Sequence, residues 1–465
     1  MRATLLWIAA LTAAAAAEPV RIPLYRRSND GIVKAAADEL DNGMLGGTVS
    51  IGNPPQDFTM AFDTSTGYSW VRTSRCKTEN CLDRCTYYAR RSSTAVSTGQ
   101  KVKVKYDHGV CVDTTVYLDT VRFSGIEVAN QPFGGAYRMT GFEHGFDGYF
   151  GLGRNIDFNR TQVYANGMDK RDLPSSAFVN NAYQSGSGLE SSQFGMVTTD
   201  SSDSGFGQSG SVSSTDDTTT TTTTTTTVTD GTTNSTATAT ASSTDSGAST
   251  STSTTATDND SSSSDDTEVT SGGFGFVKRH SDTPAGYLIL GGVDKSAIEG
   301  DVSYIPLASD SSNWDVPIKK VTFGDKLELK QEKHAVATVS TSESLILMPA
   351  DQADAYHAKF GGKFLQRTGT YKVKCSKIKD MPTLKIYLGD DHIVELPPQY
   401  YTRVINADRD CCATRLSRSD SESDWVLGTS FTNNFYTTFD SVEETLGLAL
   451  KKGHKQDGLK IYKRA

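Results

Sequence analysis

Beyond its N-terminus the sequence lacks any long apolar run, and its 7 histidines are scattered. A membrane-spanning helix needs about 20 consecutive apolar residues, so we expect no membrane anchor. Cys76, Cys81 and Cys85 lie close together, but no second Cys/His pair follows at zinc-finger spacing. A phosphate-binding glycine loop is also missing from the sequence. We therefore predict neither a metal site nor a cofactor.

Basic residues are missing from residues 198–273, which contain eleven of the acidic residues. Without those acids, the net charge of −9 becomes +2 for the remainder of the chain. A nearly neutral remainder has no electrostatic feature that favours nucleic acid or a membrane surface. Nucleic acid is therefore not an expected partner.

Residues 198–272 are also poor in apolar side chains, and residues 218–227 are ten consecutive threonines. Such a segment buries too little apolar surface to offset the entropy cost of folding. We predict a disordered, O-glycosylated insertion here. Asn159 before it and Asn234 within it each start an Asn-X-Ser/Thr acceptor, so both are predicted N-glycosylation sites.

The N-terminus has the features of a secretory signal. Arg2 precedes an apolar stretch at residues 5–13, and small residues run to Ala17. Residues 1–17 are therefore a predicted signal peptide, and residues 18–43 a short propeptide or an exposed N-terminal arm. We expect a secreted, extracellular monomer; association with the cell wall is left open.

The remaining composition favours β-structure, and a chain of 465 residues suggests two lobes. Apolar and polar residues alternate from Gly46, with a Pro-Pro turn between two strands. Further strands are predicted at residues 101–106, 115–123 and 148–151. The clearest helix covers residues 350–360, between a proline and a pair of glycines.

Two distant stretches of the chain resemble each other. Residues 62–71 read FDTSTGYSWV and residues 339–348 read VSTSESLILM. Each has an apolar residue, then Asp or Ser, then Thr-Ser and a hydrophobic run. Asp63 in the first copy corresponds to Ser340 in the second.

Several further motifs occur in a fixed order along the chain. They are IGNPPQDF at residues 51–58, FDGYFGLG at 146–153, GYLILGGVD at 286–294, STSESLILMP at 340–349 and WVLGTSF at 425–431. Together with FDTSTGYSWV, this set resembles the pepsin-like aspartic endopeptidases of the secreted fungal type. The resemblance implies a mostly β, bilobal acid-protease fold with pseudo-twofold symmetry. The N-terminal lobe would cover residues 44–197 and the C-terminal lobe residues 273–465.

In this family each lobe contributes one catalytic Asp from a loop that a second strand crosses. Phe150-Gly151 and Leu427-Gly428 match the crossing strands. A flap hairpin, here VKYDHGVCV at residues 104–112, closes over a cleft that holds an extended peptide or protein segment. Tyr106 of the flap, Trp70 and Thr66 are the substrate-binding residues that the resemblance implies.

The resemblance also implies pairings among the seven cysteines. Cys76 and Cys81 match a small loop disulfide of the N-terminal lobe. Cys375, with either Cys411 or Cys412, matches a bridge of the C-terminal lobe. Cys85 and Cys111 have no counterpart in the family, and we expect them to pair with each other. An odd total leaves at least one thiol unpaired or bridged to another molecule.

The family's chemistry needs two carboxyl groups that share one proton, because like charges so close cannot both ionise. One acts as base on a water molecule while the other, protonated, hydrogen-bonds the scissile carbonyl. Asp63 is present, but Ser340 occupies the partner position and cannot hold the shared proton. Without its partner, Asp63 is expected near the ordinary Asp pKa of about 3.9. The sequence thus predicts an impaired or inactive peptidase with a peptide-binding cleft.

Other substitutions agree with that interpretation, and one alternative opposes it. The glycine of each family Asp-Thr-Gly triplet is Ser65 in one half and Ser342 in the other. Glu343 follows three positions after Ser340, and its carboxylate is the candidate that would rebuild an acid pair with Asp63. Otherwise Glu343 is expected to face solvent or to pair with a nearby lysine. The alternative function is an active aspartic-type endopeptidase with an atypical Asp63/Glu343 pair.

Overall fold

The computed structural model describes residues 31–40, 43–81, 84–106, 109–142, 145–154, 175–199, 284–309, 311–366, 368–453 and 457–464. The predicted signal peptide and nearly all of the predicted insertion lie outside these residues. The same holds for Asn159 and Asn234.

Strands dominate the described residues. Those before the insertion are β1 (Val33–Glu39), β2 (Leu45–Ile51), β3 (Gln56–Asp63), β4 (Trp70–Arg72), β5 (Val96–Lys105), β6 (Cys111–Phe123), β7 (Ile126–Thr140), β8 (Gly148–Gly151) and β9 (Phe194–Thr198). Those after it are β10 (Gly286–Leu290), β11 (Ile298–Pro306), β12 (Asp315–Phe323), β13 (Leu327–Lys330), β14 (Val336–Val339), β15 (Ile346–Met348), β16 (Lys363–Leu365), β17 (Thr370–Val373), β18 (Leu384–Leu388), β19 (His392–Leu396), β20 (Thr402–Asn406), β21 (Cys411–Thr414), β22 (Leu416–Arg418), β23 (Trp425–Leu427), β24 (Tyr436–Asp440), β25 (Thr445–Lys451) and β26 (Lys460–Lys463). The α-helices of the described residues are α1 (Phe178–Gln184), α2 (Ala350–Phe360) and α3 (Thr429–Thr432).

The largest sheet joins the two halves of the chain. Its order is β11-β25-β24-β9-β10-β1-β2-β3-β8-β4-β7-β6-β5. The predicted turn at the two prolines connects β2 to β3, and β8 has the bounds that the sequence predicts. The described halves therefore form the bilobal, mostly β fold expected from the motifs.

Strand β1 corrects one expectation about the N-terminus. It pairs with β10 from Val33 opposite Leu290 and with β2 at Asp38 opposite Gly46. Its alternate side chains are buried, as the two-residue period of a strand requires. Residues 33–39 are therefore part of the central sheet, and their interpretation as an exposed arm is wrong.

Two smaller sheets come from the C-terminal half. One has the order β22-β15-β23-β14-β12-β18-β19-β26, with β13 beside β12, and the other is β16-β17-β21-β20. Helix α2 has the predicted bounds, and it buries Ala353, Tyr356 and His357 at helical spacing on one face. It ends at Gly361, whose φ of 90° suits a residue without a side chain.

The packing around β3 explains why the residue at the end of this strand is buried. The outer half of β3 alternates between buried and exposed side chains, whereas its last four residues, 60–63, are all buried. All four pair with β8, and Met60 and Ala61 also pair with β2 on the other side. A strand in the middle of a covered sheet buries both faces, so the carboxyl group at its end enters an apolar environment.

Candidate active site

Two equivalent loops follow β3 and β14. Strand β8 pairs in parallel with β3 and places Gly151 opposite Asp63, while β23 pairs in parallel with β14 and places Leu427 opposite Val339. The loops pass so close to these strands that only glycine fits. A Cβ at Gly151 would lie 2.6 Å from a backbone nitrogen, and one at Gly428 would lie 2.3 Å from a backbone oxygen. The structure thus brings together the loops and the crossing strands that the motifs predict.

Crossed threonine hydrogen bonds hold the two loops together. The backbone N–H of Thr64 donates to Thr341 Oγ1 at 3.0 Å, and that of Thr341 donates to Thr64 Oγ1 at 3.1 Å. Each hydroxyl then donates to a backbone carbonyl of the other loop, Val339 at 3.1 Å and Phe62 at 2.6 Å. Both threonines are buried. Our sequence reasoning missed this role, although Thr is shared by the two matching motifs.

Asp63 is fully buried, and its two carboxylate oxygens have different donors. Oδ1 accepts from the backbone N–H of Ser65 at 2.9 Å and from the Ser65 hydroxyl at 2.5 Å. Oδ2 accepts from the Tyr106 hydroxyl at 3.3 Å. Trp70 Nε1 donates to the same tyrosine oxygen at 2.9 Å. Tyr106, a predicted cleft residue, therefore contacts Asp63 directly, and Trp70 is linked to Asp63 through Tyr106.

Burial raises the pKa of Asp63 to about 6, even though bonds from Ser65, Ser342 and Tyr106 lower it in part. The expectation of an ordinary pKa near 3.9 is wrong. Removal of the carboxylate from water raises its pKa, as a neighbouring negative charge would. The groups that adjust this pKa are hydroxyls and a backbone N–H. No second carboxyl group of the described residues is among them.

A chain of hydroxyls connects Ser340 to Asp63. Ser340 Oγ lies 3.0 Å from Ser342 Oγ, which donates to Ser65 Oγ at 3.0 Å. Either hydroxyl can be the donor in the bond between Ser340 and Ser342. The position of the family's second acid is thus linked to Asp63 through three hydroxyl groups.

Glu343 has the same local role as Thr66 in the other loop. Glu343 Oε1 accepts from the backbone N–H of Leu345 at 2.8 Å, and Thr66 Oγ1 accepts from that of Tyr68 at 3.2 Å. Glu343 is 9% exposed. The expectation that it faces solvent is therefore wrong. Its carboxylate stabilises its own loop through the hydrogen bond from Leu345.

An aromatic wall lies next to Asp63, and two of its members were not foreseen. Trp70 and Tyr106 each pack against both Phe142 and Tyr149, with ring centroids 5.0–5.6 Å apart. Successive strand residues face opposite sides of a sheet, so Phe150 enters the core while Tyr149 faces the wall. That alternation within FDGYFGLG is the signal that would have identified Tyr149.

The described residues contain two disulfides, Cys76–Cys81 and Cys375–Cys412. Between the two alternatives for Cys375, the structure selects Cys412, which is fully buried. Cys85 and Cys111 are free thiols, so the bridge expected between them is wrong. The tip of the flap, residues 107 and 108, lies outside the described residues.

Comparison with known proteins agrees with this geometry. The chain matches the family of eukaryotic aspartyl proteases over residues 45–270 and 264–451. It is 24% identical over 436 residues to gastricsin of Oryctolagus cuniculus, covering 91% of this chain and 86% of the relative. It is 24% identical over 412 residues to embryonic pepsinogen of Gallus gallus, covering 87% and 79%. With pepsin A of Suncus murinus it shares 24% over 409 residues, covering 87% and 80%.

The chain belongs to the pepsin-like aspartic protease family. This membership confirms the family that the motifs indicate, while the fungal subtype remains a prediction. Among the residues that the structure describes, no helix has the length and apolar character needed to cross a bilayer.

Proposed function

We propose that this protein is a secreted, pepsin-like peptidase homologue whose aspartic-type catalysis is impaired or lost and whose cleft still binds peptides. The observation that carries the proposal is the hydroxyl chain from Ser340 to Asp63. A serine occupies the place of the second acid, and two more serines occupy the space between the loops.

The chemistry explains why this arrangement is unfavourable for peptide hydrolysis. An acid-pH mechanism needs one ionised and one protonated carboxyl group, and a serine hydroxyl supplies neither at pH 2–6. Asp63 Oδ1 also accepts two hydrogen bonds from Ser65. The other carboxylate oxygen, Oδ2, accepts from Tyr106.

The peptide-binding part of the proposal is supported by the residues around Asp63. Trp70, Phe142 and Tyr149 are buried and pack against Tyr106, which is partly exposed and offers apolar surface beside the two loops. Aromatic surfaces of this kind bind hydrophobic side chains and lose little conformational entropy. A peptide or protein segment with apolar side chains is therefore the proposed ligand.

Cleavage of a broad peptide library at pH 2–6 tests the loss of activity. We expect the wild-type protein and Asp63→Asn to give the same background. The alternative, an acid pair of Asp63 and Glu343, predicts cleavage that both Asp63→Asn and Glu343→Gln abolish. Cleavage that depends on Asp63 would overturn the proposal, whichever second group assists.

Binding is measured separately by titration with a peptide-like transition-state mimic. We expect saturable binding to the wild-type protein. Trp70→Ala removes part of the aromatic wall and is expected to weaken it, whereas Trp314→Phe conserves an aromatic ring elsewhere in the core and serves as a control for folding. Failure of the folded wild-type protein to bind would refute the retained cleft.

A further inference from the structure

The Asp63–Ser65 pair has a close counterpart elsewhere in the molecule, which allows its chemistry to be judged. At Asp294 and Ser296 the same two hydrogen bonds recur, from the serine backbone N–H at 2.9 Å and from its hydroxyl at 2.5 Å. Both are turns in which an Asp binds the second residue after it, a common local arrangement. The hydrogen bonds alone therefore do not indicate function.

The surroundings of the two pairs differ in charge and burial. Lys34 Nζ lies 2.7 Å from Asp294 Oδ2. Although partial burial raises the pKa of Asp294, the bonds from Lys34 and Ser296 outweigh it and hold that pKa below the usual value. Asp63 is fully buried without a lysine or arginine among the groups that adjust its pKa, which burial raises to about 6. The Asp63 carboxylate is thus the stronger base of the two.

The direction of the hydrogen bonds also suits a nucleophile. Ser65 donates its only hydroxyl proton to Asp63 and accepts a bond from Ser342. Its own oxygen lone pair is available to a group that approaches from the cleft, since Ser65 is only half-buried. A serine becomes nucleophilic when an adjacent base removes this proton.

We propose that Ser65, with Asp63 as its general base, is an acyl-accepting nucleophile, and that its substrates are carboxylic esters with an apolar acyl group. This proposal goes beyond the proposed function and does not depend on it, since acyl transfer to Ser65 needs no second carboxyl group.

The steps balance without any further reactant. Ser65 Oγ forms a bond to the ester carbonyl carbon while its proton passes to Asp63 Oδ1. The ester C–O bond then breaks, and the alcohol leaves with the proton from Asp63. Water attacks the acyl-serine ester and gives a proton to Asp63, which returns it to Ser65 as the acid is released.

Neighbouring groups fit the two ends of such a substrate. Ser342 Oγ lies 3.0 Å from Ser65 Oγ, so its hydroxyl is within reach of the oxygen of a carbonyl attached to Ser65. Tyr106, which donates to Asp63 and is partly exposed, offers apolar surface for the acyl chain. An ester is a better substrate than a peptide, because an alcohol leaves with less acid assistance than an amine.

Two measurements on the full chain test the proposal. The first is hydrolysis of p-nitrophenyl butyrate, and the second is labelling by a fluorophosphonate, whose fluoride leaves as Ser65 Oγ bonds to phosphorus, followed by mass spectrometry of the labelled peptide. We expect label on Ser65, at a rate that rises through about pH 6 as Asp63 ionises. Asp63→Asn is expected to lower both rates about 100-fold or more, and Ser65→Ala is expected to reduce them to background.

The matched controls are Ser296→Ala and Asp294→Asn, which alter the counterpart pair and are expected to leave both rates unchanged. The site of labelling in the wild-type protein is decisive even if a variant does not fold. Label confined to other residues, no label, or a rate that Asp63→Asn leaves unchanged would overturn the proposal. These outcomes are separate from peptide cleavage at pH 2–6, on which the proposed function depends.

Discussion

The loops at residues 62–66 and 339–343 have nearly the same backbone interactions and different chemistry. In each, a threonine hydroxyl donates to the opposite loop, and the side chain of the fifth residue accepts from a backbone N–H two residues further on. Yet at equivalent positions the first loop has the buried carboxyl group of Asp63 and the second has the hydroxyl of Ser340. The two hydrogen-bonded loops of an aspartic protease, here called the frame, and its pair of acids are therefore separable features of the sequence.

The difference is instructive because the frame depends on groups that do no chemistry. Thr64 and Thr341 satisfy buried backbone groups, which are costly to leave without a partner. Gly151 and Gly428 leave room for the loops. None of these four residues needs Asp63 or Ser340, so the loop can lose an acid and keep its conformation.

The largest expected effect comes from breaking the frame. Thr341→Val removes the acceptor of the Thr64 N–H and the donor to the Phe62 carbonyl, and it leaves both groups buried. We expect a loss of about 3 kcal/mol in the free energy of unfolding, measured by chemical denaturation. Thr64→Val is expected to cost a similar amount, because its bonds are equivalent.

Thr59→Val is the matched control for these variants, since Thr59 is exposed on β3. A change within about 0.5 kcal/mol is expected there. If Thr341→Val were as mild as this control, the crossed bonds would not hold the loops together.

The second expected effect is a pH-dependent change in stability that arises from Asp63 in the first loop. The folded-state pKa of Asp63 is about 6, above its ordinary value of 3.8, so the folded protein binds this proton more tightly than the unfolded chain. The resulting stability is present below pH 3.8 and is lost as pH rises through 6. Relative to wild type, Asp63→Asn is therefore expected to gain up to about 3 kcal/mol between pH 4 and 7.

The readout is the difference in unfolding free energy between the variant and wild type at each pH, which cancels the other titrating groups. Ser340→Ala, in the other loop, is expected to show a much smaller change across this range. A flat curve for Asp63→Asn would contradict the raised pKa.

A smaller effect is expected from the hydroxyl chain. The Ser342 hydroxyl lowers the pKa of Asp63, so Ser342→Ala is expected to raise that pKa further. Ser340 lies one hydroxyl further from Asp63, and Ser340→Ala should shift the pKa less. The carboxyl carbon of Asp63, followed by NMR through a pH titration, gives both values. A larger shift in Ser340→Ala than in Ser342→Ala would contradict the order of the chain.

The smallest effect is expected at the position where the side chains of the two loops make the same hydrogen bond. Glu343→Thr places in the second loop the residue type that the first loop has at Thr66. Because both side chains accept a bond from the backbone N–H two residues on, the unfolding free energy should change by less than about 1 kcal/mol. A loss above 2 kcal/mol would show that the Glu343 carboxylate has a role beyond this bond.

Much of the fold could be predicted from the sequence because its signals are local. The bounds of α2 follow from Pro349 and Gly361, and those of β8 from the FDGYFGLG motif. The strand at residues 33–39 was less predictable. Its alternation of Ala with polar residues is weak, and the partner strand β10 lies more than 240 residues away in sequence.

The site was predictable in its residues but not in its electrostatics. The matching motifs identified Asp63 and Ser340, and the flap motif identified Tyr106. The pKa of Asp63 depends on burial, and burial depends on both neighbours of β3 in the sheet, which no local pattern reports. The Cys85–Cys111 expectation failed for a related reason, since a pairing by elimination contains no information about distance.

The most direct test of the account rebuilds the missing acid. The triple variant Ser65→Gly, Ser340→Asp, Ser342→Gly restores a carboxyl group and clears the two hydroxyls, while Ser65→Gly with Ser342→Gly alone is its control. The measurement is the rate of peptide-library cleavage at pH 2–6, compared with wild type. We expect cleavage in the triple variant that Asp63→Asn abolishes, and background in the control and in wild type. A folded triple variant that binds the transition-state mimic but cleaves no faster than wild type would contradict the claim that the missing acid and the two loop serines separate this protein from a working protease.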